Sequence, residues 1–257
     1  MRLTGKHSVC GLLIGFSLLF LSGNGLCKTP FEAAQEYYES GQETEARRSL
    51  KQELRLRPDN LEARYNLAVL LSHIGHHDEA RLLYEENLKR GRHLSTAVNL
   101  SAVHEKNSER SKARDLLLAT TKHFRFEAVP YYLLAEMDAA DGNIKQADTY
   151  FKKALKADVL NGFAHLRYAR FLSALNRHAL ALKHGQRAVK LLSECAPCWR
   201  ELGDIQKKAG KPDQALKAYQ HSAALNPDLN LRKQIIAVLE AVGEDERAAA
   251  IKKAITP

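Results

Sequence analysis

The stretch Trp199–Pro227, WRELGDIQKKAGKPDQALKAYQHSAALNP, reads as two short amphipathic helices separated by a turn. Apolar or small residues fall at Trp199, Leu202, Gly203 and Ala209, then at Ala215, Leu216, Tyr219, Ala223 and Leu225. That spacing follows a helical period and not a strand period. Gly210-Lys211-Pro212 interrupts it. Glycine suits the residue just past a helix, and proline suits the first residue of the next one. Asn226-Pro227 closes the stretch, because proline lacks the N–H that would extend the helix before it. A hairpin this small cannot bury its own apolar face, so it needs neighbours of its own kind.

The chain supplies them. From Cys27 onward a pattern recurs every 33–34 residues, with units beginning near Cys27, Leu61, Leu94, Ala128, Gly162, Ala196 and Leu229. One column of small residues runs through all of them: Ala46, Ala80, Ala113, Ala147, Ala181, Ala215 and Ala248. A second comprises Ala34, Ala68, Ser101, Ala135, Ala169 and Gly203, and Ile236 breaks it in the last unit. A third marks the turn: Gly41, Gly75, Ser108, Gly142, Asn176, Gly210 and Gly243. Glycine and asparagine tolerate the left-handed backbone that ends a helix.

These residues resemble the tetratricopeptide repeat (TPR). Trp199-x-x-Leu202-Gly203, Ala215-x-x-x-Tyr219 and Pro227 sit at that motif's spacings, while Gln206 stands where the motif usually carries an aromatic. The resemblance implies an all-α superhelix, a TPR solenoid of about seven helix-turn-helix units. It would fill residues 28–257, with units near 27–60, 61–93, 94–127, 128–161, 162–195, 196–228 and 229–257. In such repeats the alanine column marks the closest approach of a unit's two helices. The closing proline is present at Pro58 and Pro227 and missing from the middle units, which are therefore expected to turn less sharply or run longer helices. The unit from Leu229 reads as a cap, with Glu244, Asp245, Glu246, Arg247, Lys252 and Lys253 on an outer charged face.

Composition agrees with a folded protein: 257 residues, 45% hydrophobic and 27% charged. The net charge of +9 at pH 7 favours acidic partners without specifying them. Residues 1–27 differ from the rest. Arg2 and Lys6 precede an apolar run from Val9 to Leu21, followed by Ser22-Gly23-Asn24-Gly25-Leu26-Cys27. A basic start, a short apolar centre and a small-residue exit describe a secretory signal peptide cleaved after Gly25 or Cys27. The run is short for a membrane span, so an uncleaved anchor is the secondary reading. Asn24 and Leu26 do not fit the residues that precede an acylated cysteine in lipoproteins. The expected location is periplasmic or secreted.

No phosphate-binding glycine loop, GxSxG elbow or HExxH occurs, and the carboxylates are scattered at helix-surface positions. An enzyme is not expected, nor is a cofactor or a small-molecule substrate. Cys195-Ala196-Pro197-Cys198 is the most distinctive chemical feature. In an exported chain, with Cys10 inside the signal and Cys27 at its end, this pair reads as a disulfide. It serves either as a local staple or as a redox-active dithiol at a helix start. The second case would make the protein a thiol–disulfide accessory factor. The cluster His73, His76 and His77 reads as turn histidines, with a metal site as the alternative; no metal site is assigned.

In TPR arrays the first helix of each unit lines a concave groove. By that resemblance the groove residues are Gln35, Asn66, Asn99, Tyr132, Glu136, Arg167, Arg170, Arg200, Glu201 and Asp204. Asparagine can serve both donors and acceptors of a peptide backbone. Arg167 and Arg170 share a helix face in the most basic unit, where Arg177, Lys183, Arg187 and Lys190 add to them and Glu194 is the single acid. Such a face reads equally as a carboxylate-binding site or as a solvated surface. Phe31, Gln35, Asn66, Ser95 and Asn99 match the carboxylate clamp of chaperone-binding TPRs in part, without its lysines, so chaperone binding does not follow. The expected partner is a protein or peptide, with an acidic one fitting best and a membrane-associated complex allowed. Nucleic acid is not expected, because no aromatic stacking platform accompanies the basic unit. The reading as a whole is a protein-interaction scaffold or assembly factor of a bacterial cell envelope.

Overall fold

The computed structural model describes residues 28–226, 229–241, 243–246 and 248–249. The signal-peptide reading of residues 1–27, with Cys10 and Cys27, lies outside the described residues, as do Pro227, Arg247, Lys252 and Lys253. All regular structure among the described residues is helical. In chain order the helices are α1 (Pro30–Glu39), α2 (Glu43–Leu56), α3 (Leu61–His73), α4 (His77–Arg90), α5 (Leu94–Lys106), α6 (Arg110–His123), α7 (Ala128–Ala140), α8 (Ile144–Ala157), α9 (Gly162–Ala174), α10 (His178–Leu191), α11 (Ala196–Lys208), α12 (Pro212–Leu225) and α13 (Leu229–Ala241).

Side-chain caps start five of the odd-numbered helices, α1, α3, α5, α9 and α11. Thr29 and Glu32 cap α1 reciprocally, with Pro30 in its first turn. Asn60 and Asn161 accept from the backbone N–H of Ala63 at 3.0 Å and of Ala164 at 2.9 Å. The His93 and Cys195 side chains do the same for Thr96 and Cys198. The turn inside each hairpin is left-handed in all seven cases. The five glycines have φ between 69° and 88°, Ser108 has 61° and Asn176 has 56°.

The alanine column is sealed. Ala46, Ala80, Ala113, Ala147, Ala181 and Ala215 are 0% exposed and Ala248 is 1% exposed. At Gly203 a Cβ would lie 2.4 Å from the Tyr219 ring, so glycine there lets α11 and α12 touch. The expectation of longer helices in the units lacking the closing proline is not met: α2, α4, α6, α8, α10 and α12 each have 14 residues. The residue after each of these helices leaves the helical region, with φ from −115° at Phe124 to −178° at Gly91. The chain therefore turns with or without proline.

The helices divide into two compact units, one running to Phe124 and the other from Arg125. In the first, the hairpins α1/α2, α3/α4 and α5/α6 stack through α2 on α3 and α4 on α5. Their core includes Leu50, Leu67, Leu70, Tyr84, Leu100 and Val103. The second stacks α7/α8, α9/α10, α11/α12 and α13. Its odd helices also touch, α7 against α9 and α9 against α11. At its end Ile235, Ile236, Val238, Leu239 and Ala248 cover Ala215, Leu216 and Tyr219. Asp245 and Glu246 of the terminal unit are exposed and Glu244 is half-buried.

Candidate partner-binding site

Several polar residues on the odd helices bond back to the preceding repeat. Asn99 on α5 donates to the Tyr65 hydroxyl of α3 at 3.1 Å and is 5% exposed. Arg167 on α9 donates to both carboxylate oxygens of Glu136 on α7, at 2.6 and 2.7 Å, and lies over the Tyr132 ring, 4.9 Å from its centroid. Burial works against the charge on Arg167, but the Glu136 carboxylate outweighs it and holds the guanidinium pKa above its usual value. Arg170 on α9 donates to Glu201 on α11 at 2.5 and 3.3 Å. Arg177 lies 3.7 Å from Asp148 of α8. The basic fifth repeat thus draws its counter-ions from the repeats on either side.

Arg170 and three further candidates, Arg200, Glu201 and Asp204, converge between α9 and α11. A cavity of about 350 Å³ is lined there by Arg170, Ser173, Pro197, Arg200, Glu201, Asp204, Ile205 and Lys208. Three of these carry positive charge and two carry negative charge. Both carboxylates are engaged already: Glu201 by Arg170, and Asp204 by the Tyr219 hydroxyl at 2.7 Å. Burial, then that bond, raises the Tyr219 pKa. Ser173 is 4% exposed and its hydroxyl has no hydrogen-bond partner. Other helix hydroxyls do find carbonyls: Ser101 bonds Val98 at 2.7 Å, Thr120 bonds Leu116 at 2.7 Å, Thr149 bonds Lys145 at 2.9 Å and Ser222 bonds Ala196 at 2.7 Å. A buried hydroxyl left unpaired is costly, and the Ser173 oxygen, sealed from solvent, is a local cost of helix packing and not a contact offered to the cavity.

The family models match where the repeats are most regular. Tetratricopeptide repeat models cover residues 31–92, 128–158 and 196–229. The chain is a TPR protein. Solved structures share its fold. A tetratricopeptide repeat protein from Parabacteroides merdae ATCC 43184 is 19% identical with a TM-score of 0.60, over 88% of this chain and 90% of that one. The Cut9–Hcn1 hetero-tetramer of APC/C is 17% identical with a TM-score of 0.65, over 87% of this chain and 45% of that one. The MamA RS-1 ArsTM double mutant is 19% identical with a TM-score of 0.53, over 62% of this chain and 90% of that one. No curated protein matches the sequence. TPR membership supports a role as a protein–protein interaction scaffold.

Within this TPR protein the ten groove candidates have different fates. Arg170, Arg200, Glu201 and Asp204 line the α9–α11 cavity. Tyr132, Glu136 and Arg167 form one cluster between α7 and α9. Asn99 is buried against Tyr65, Asn66 is half-buried on α3, and Gln35 bonds Glu39 of its own helix at 3.4 Å. Ser173, Pro197, Ile205 and Lys208 escaped the sequence reading. Ser173 follows Arg170 by three residues, and Lys208 follows Asp204 by four, so helical spacing places them on the same faces. Gln206 is buried, with its Oε1 unpaired, at the position where the motif favours an aromatic.

The Sγ atoms of Cys195 and Cys198 lie 2.03 Å apart across the first turn of α11. Cys195 is half-buried, while Cys198 is 1% exposed and packs with Leu166, Val189, Leu202 and Ala218. Of the turn histidines, His73 lies 3.3 Å from Glu43 and His76 lies 2.9 Å from Glu79. Among the described residues no three His, Cys, Asp or Glu side chains converge as metal ligands.

Proposed function

We propose that this TPR protein is a non-enzymatic scaffold or assembly factor of the cell envelope, and that it holds an acidic segment of a partner protein on the α9–α11 face. The observation that carries this reading is the cavity between those helices. It combines a positive excess with two carboxylates that have bonds of their own. A carboxylate on the partner would meet the cation of Lys208 at the cavity, a charge-assisted arrangement. Pro197 and Ile205 would cover the apolar part of the same segment. The overall positive charge would speed the approach of an acidic partner.

Two measurements test the reading. The first is fluorescence anisotropy with labelled peptides of alternating glutamate and glycine, against matching lysine–glycine peptides. The acidic series should bind saturably, and Lys208→Glu should weaken it about tenfold without loss of helicity. Equal affinity for acidic and basic peptides sinks the acidic-partner reading. The second is cell fractionation of the full-length protein. Export rests on the basic-then-apolar pattern of residues 1–27, and an unprocessed chain found in the cytoplasm would overturn it.

A further inference from the structure

The Cys195–Cys198 pair and the α9–α11 cavity share a residue. Pro197 lies inside the disulfide ring and also lines the cavity. Six of the eight lining residues (Pro197, Arg200, Glu201, Asp204, Ile205 and Lys208) belong to α11, so the seating of α11 shapes the site. Its first turn is where the disulfide closes: Cys195 is the cap residue, and its sulfur accepts from the Cys198 N–H at 3.3 Å.

We infer that Cys195–Cys198 is an exchangeable disulfide, reactive toward protein dithiols, whose state sets the affinity of the α9–α11 cavity. This rests on the proposal that the cavity binds a partner. In the exchange, a thiolate of the dithiol attacks the half-buried Cys195 sulfur and the S–S bond breaks. Cys198 leaves as a thiolate and takes up the proton that the reagent's thiol gave up. The second thiol of the reagent then displaces Cys195. Two electrons pass to the protein, the reagent becomes a disulfide, and each protein sulfur ends as a thiol.

The consequence is local. Cys198 is held among Leu166, Leu202 and Ala218, so what the release frees is Cys195, and with it the covalent ring that encloses Pro197. The rest of α11 keeps separate ties. Ser222 donates to the Ala196 carbonyl at 2.7 Å, and the Trp199 indole donates to the Ser193 carbonyl at 2.7 Å, beside the His221 ring. The reduced protein therefore stays folded, while Pro197 loses the covalent ring that braces it in the cavity wall. In the oxidised form the wall is preorganised, and preorganisation lowers the cost of binding.

The test compares the full-length mature protein, oxidised and after reduction by a protein dithiol such as reduced thioredoxin, using the glutamate–glycine peptide as probe. Free thiols are counted in each sample. The expected result is that the oxidised protein binds and the reduced protein binds about fivefold or more weakly, with unchanged helicity. Cys195→Ser with Cys198→Ser should bind like the reduced form and ignore the reductant. Equal affinity of oxidised and reduced protein overturns the inference and leaves the groove reading standing. A disulfide that resists the dithiol under native conditions also overturns it. No binding by the oxidised protein means that the groove reading itself has failed, and this inference fails with it.

Discussion

Ser108 and Asn176 hold the same left-handed backbone as the five turn glycines, with φ of 61° and 56°. A side chain in that region costs about 1–2 kcal/mol, least for asparagine, whose short polar group bonds locally. Glycine escapes this cost but loses more freedom on folding, roughly 0.5–1 kcal/mol. Ser108→Gly is therefore expected to raise stability by about 0.5–1 kcal/mol, and Asn176→Gly to leave it nearly unchanged. Thermal melts of both variants check this, and a loss on Ser108→Gly would contradict it. Gly203 gives the opposite case. Its Cβ would meet Tyr219 ring atoms at 2.4 and 2.6 Å, and the Tyr219 hydroxyl is fixed by Asp204 at 2.7 Å, so the ring cannot swing clear cheaply. Gly203→Ala should cost about 1–3 kcal/mol through overpacking, read in the same melts. Both positions were legible from the sequence, because steric limits on small residues leave a mark wherever they act. The unpaired hydroxyl of Ser173 left none, since serine is an ordinary helix-surface residue until its burial is known.

At the scale of paired helices, the bonds between successive repeats change what the charged residues do. Arg167 and Arg170 read as open cations because sequence shows their own unit, where Glu194 is the single acid. Their partners, Glu136 and Glu201, come from the repeats before and after. The two pairs differ in exposure: the Arg167 side chain is 21% exposed and that of Arg170 is 58% exposed. Arg167→Glu, which sets two carboxylates face to face beside Tyr132, should cost about 1–3 kcal/mol. Arg170→Glu should cost about 0–1 kcal/mol and act mainly on peptide binding. Denaturant melts with the binding assay separate the two, and similar losses of stability would mean that the Glu136 bond does not matter. Helices α9 and α10 add a pH response. The Val159 carbonyl can only accept, so His165 Nε2 carries a proton toward it at 3.1 Å. His165 Nδ1 then accepts from His184 Nδ1 at 2.9 Å. Burial lowers both imidazole pKa values. Arg187 adds to this at His165 while Asp158 opposes, and at His184 the His165 ring and Lys183 take the pKa to about 4. The Tyr168 ring lies 4.8 Å from His184, and its hydroxyl is bound to Asp148, the partner of Lys152. The unfolded histidines bind protons first as the pH falls below about 6.5, so the contribution of the pair is complete above that value and lost on the way down toward the folded value. Melting points should drop between pH 7 and pH 5, and His184→Gln should flatten that drop. An unchanged slope in the variant would remove the pair as its source.

Each unit stacks repeats, and a repeat contacts only near neighbours, so stability is a sum of local terms. The regular 33–34-residue spacing announced one array, and all seven alanines of its main column are buried. What spacing could not show is that the helices cluster into two compact units meeting at Phe124 and Arg125. No glycine- or serine-rich linker marks that point, and the alanine and turn columns run through it unbroken. The grouping depends on which helices come together, which periodicity does not encode. It has a consequence for cooperativity. Ala80→Leu in the first unit and Ala181→Leu in the second each force a large side chain into a site that is 0% exposed, at about 1–3 kcal/mol. If each unit opens as its own cooperative body, the loss stays where it is made. Hydrogen exchange followed by mass spectrometry should then show Ala80→Leu lowering protection across residues 28–124 and leaving residues 125–249 near the parent level. Ala181→Leu should do the reverse. Loss of protection spread evenly over both stretches in either variant would show a single cooperative array, with coupling reaching past nearest neighbours.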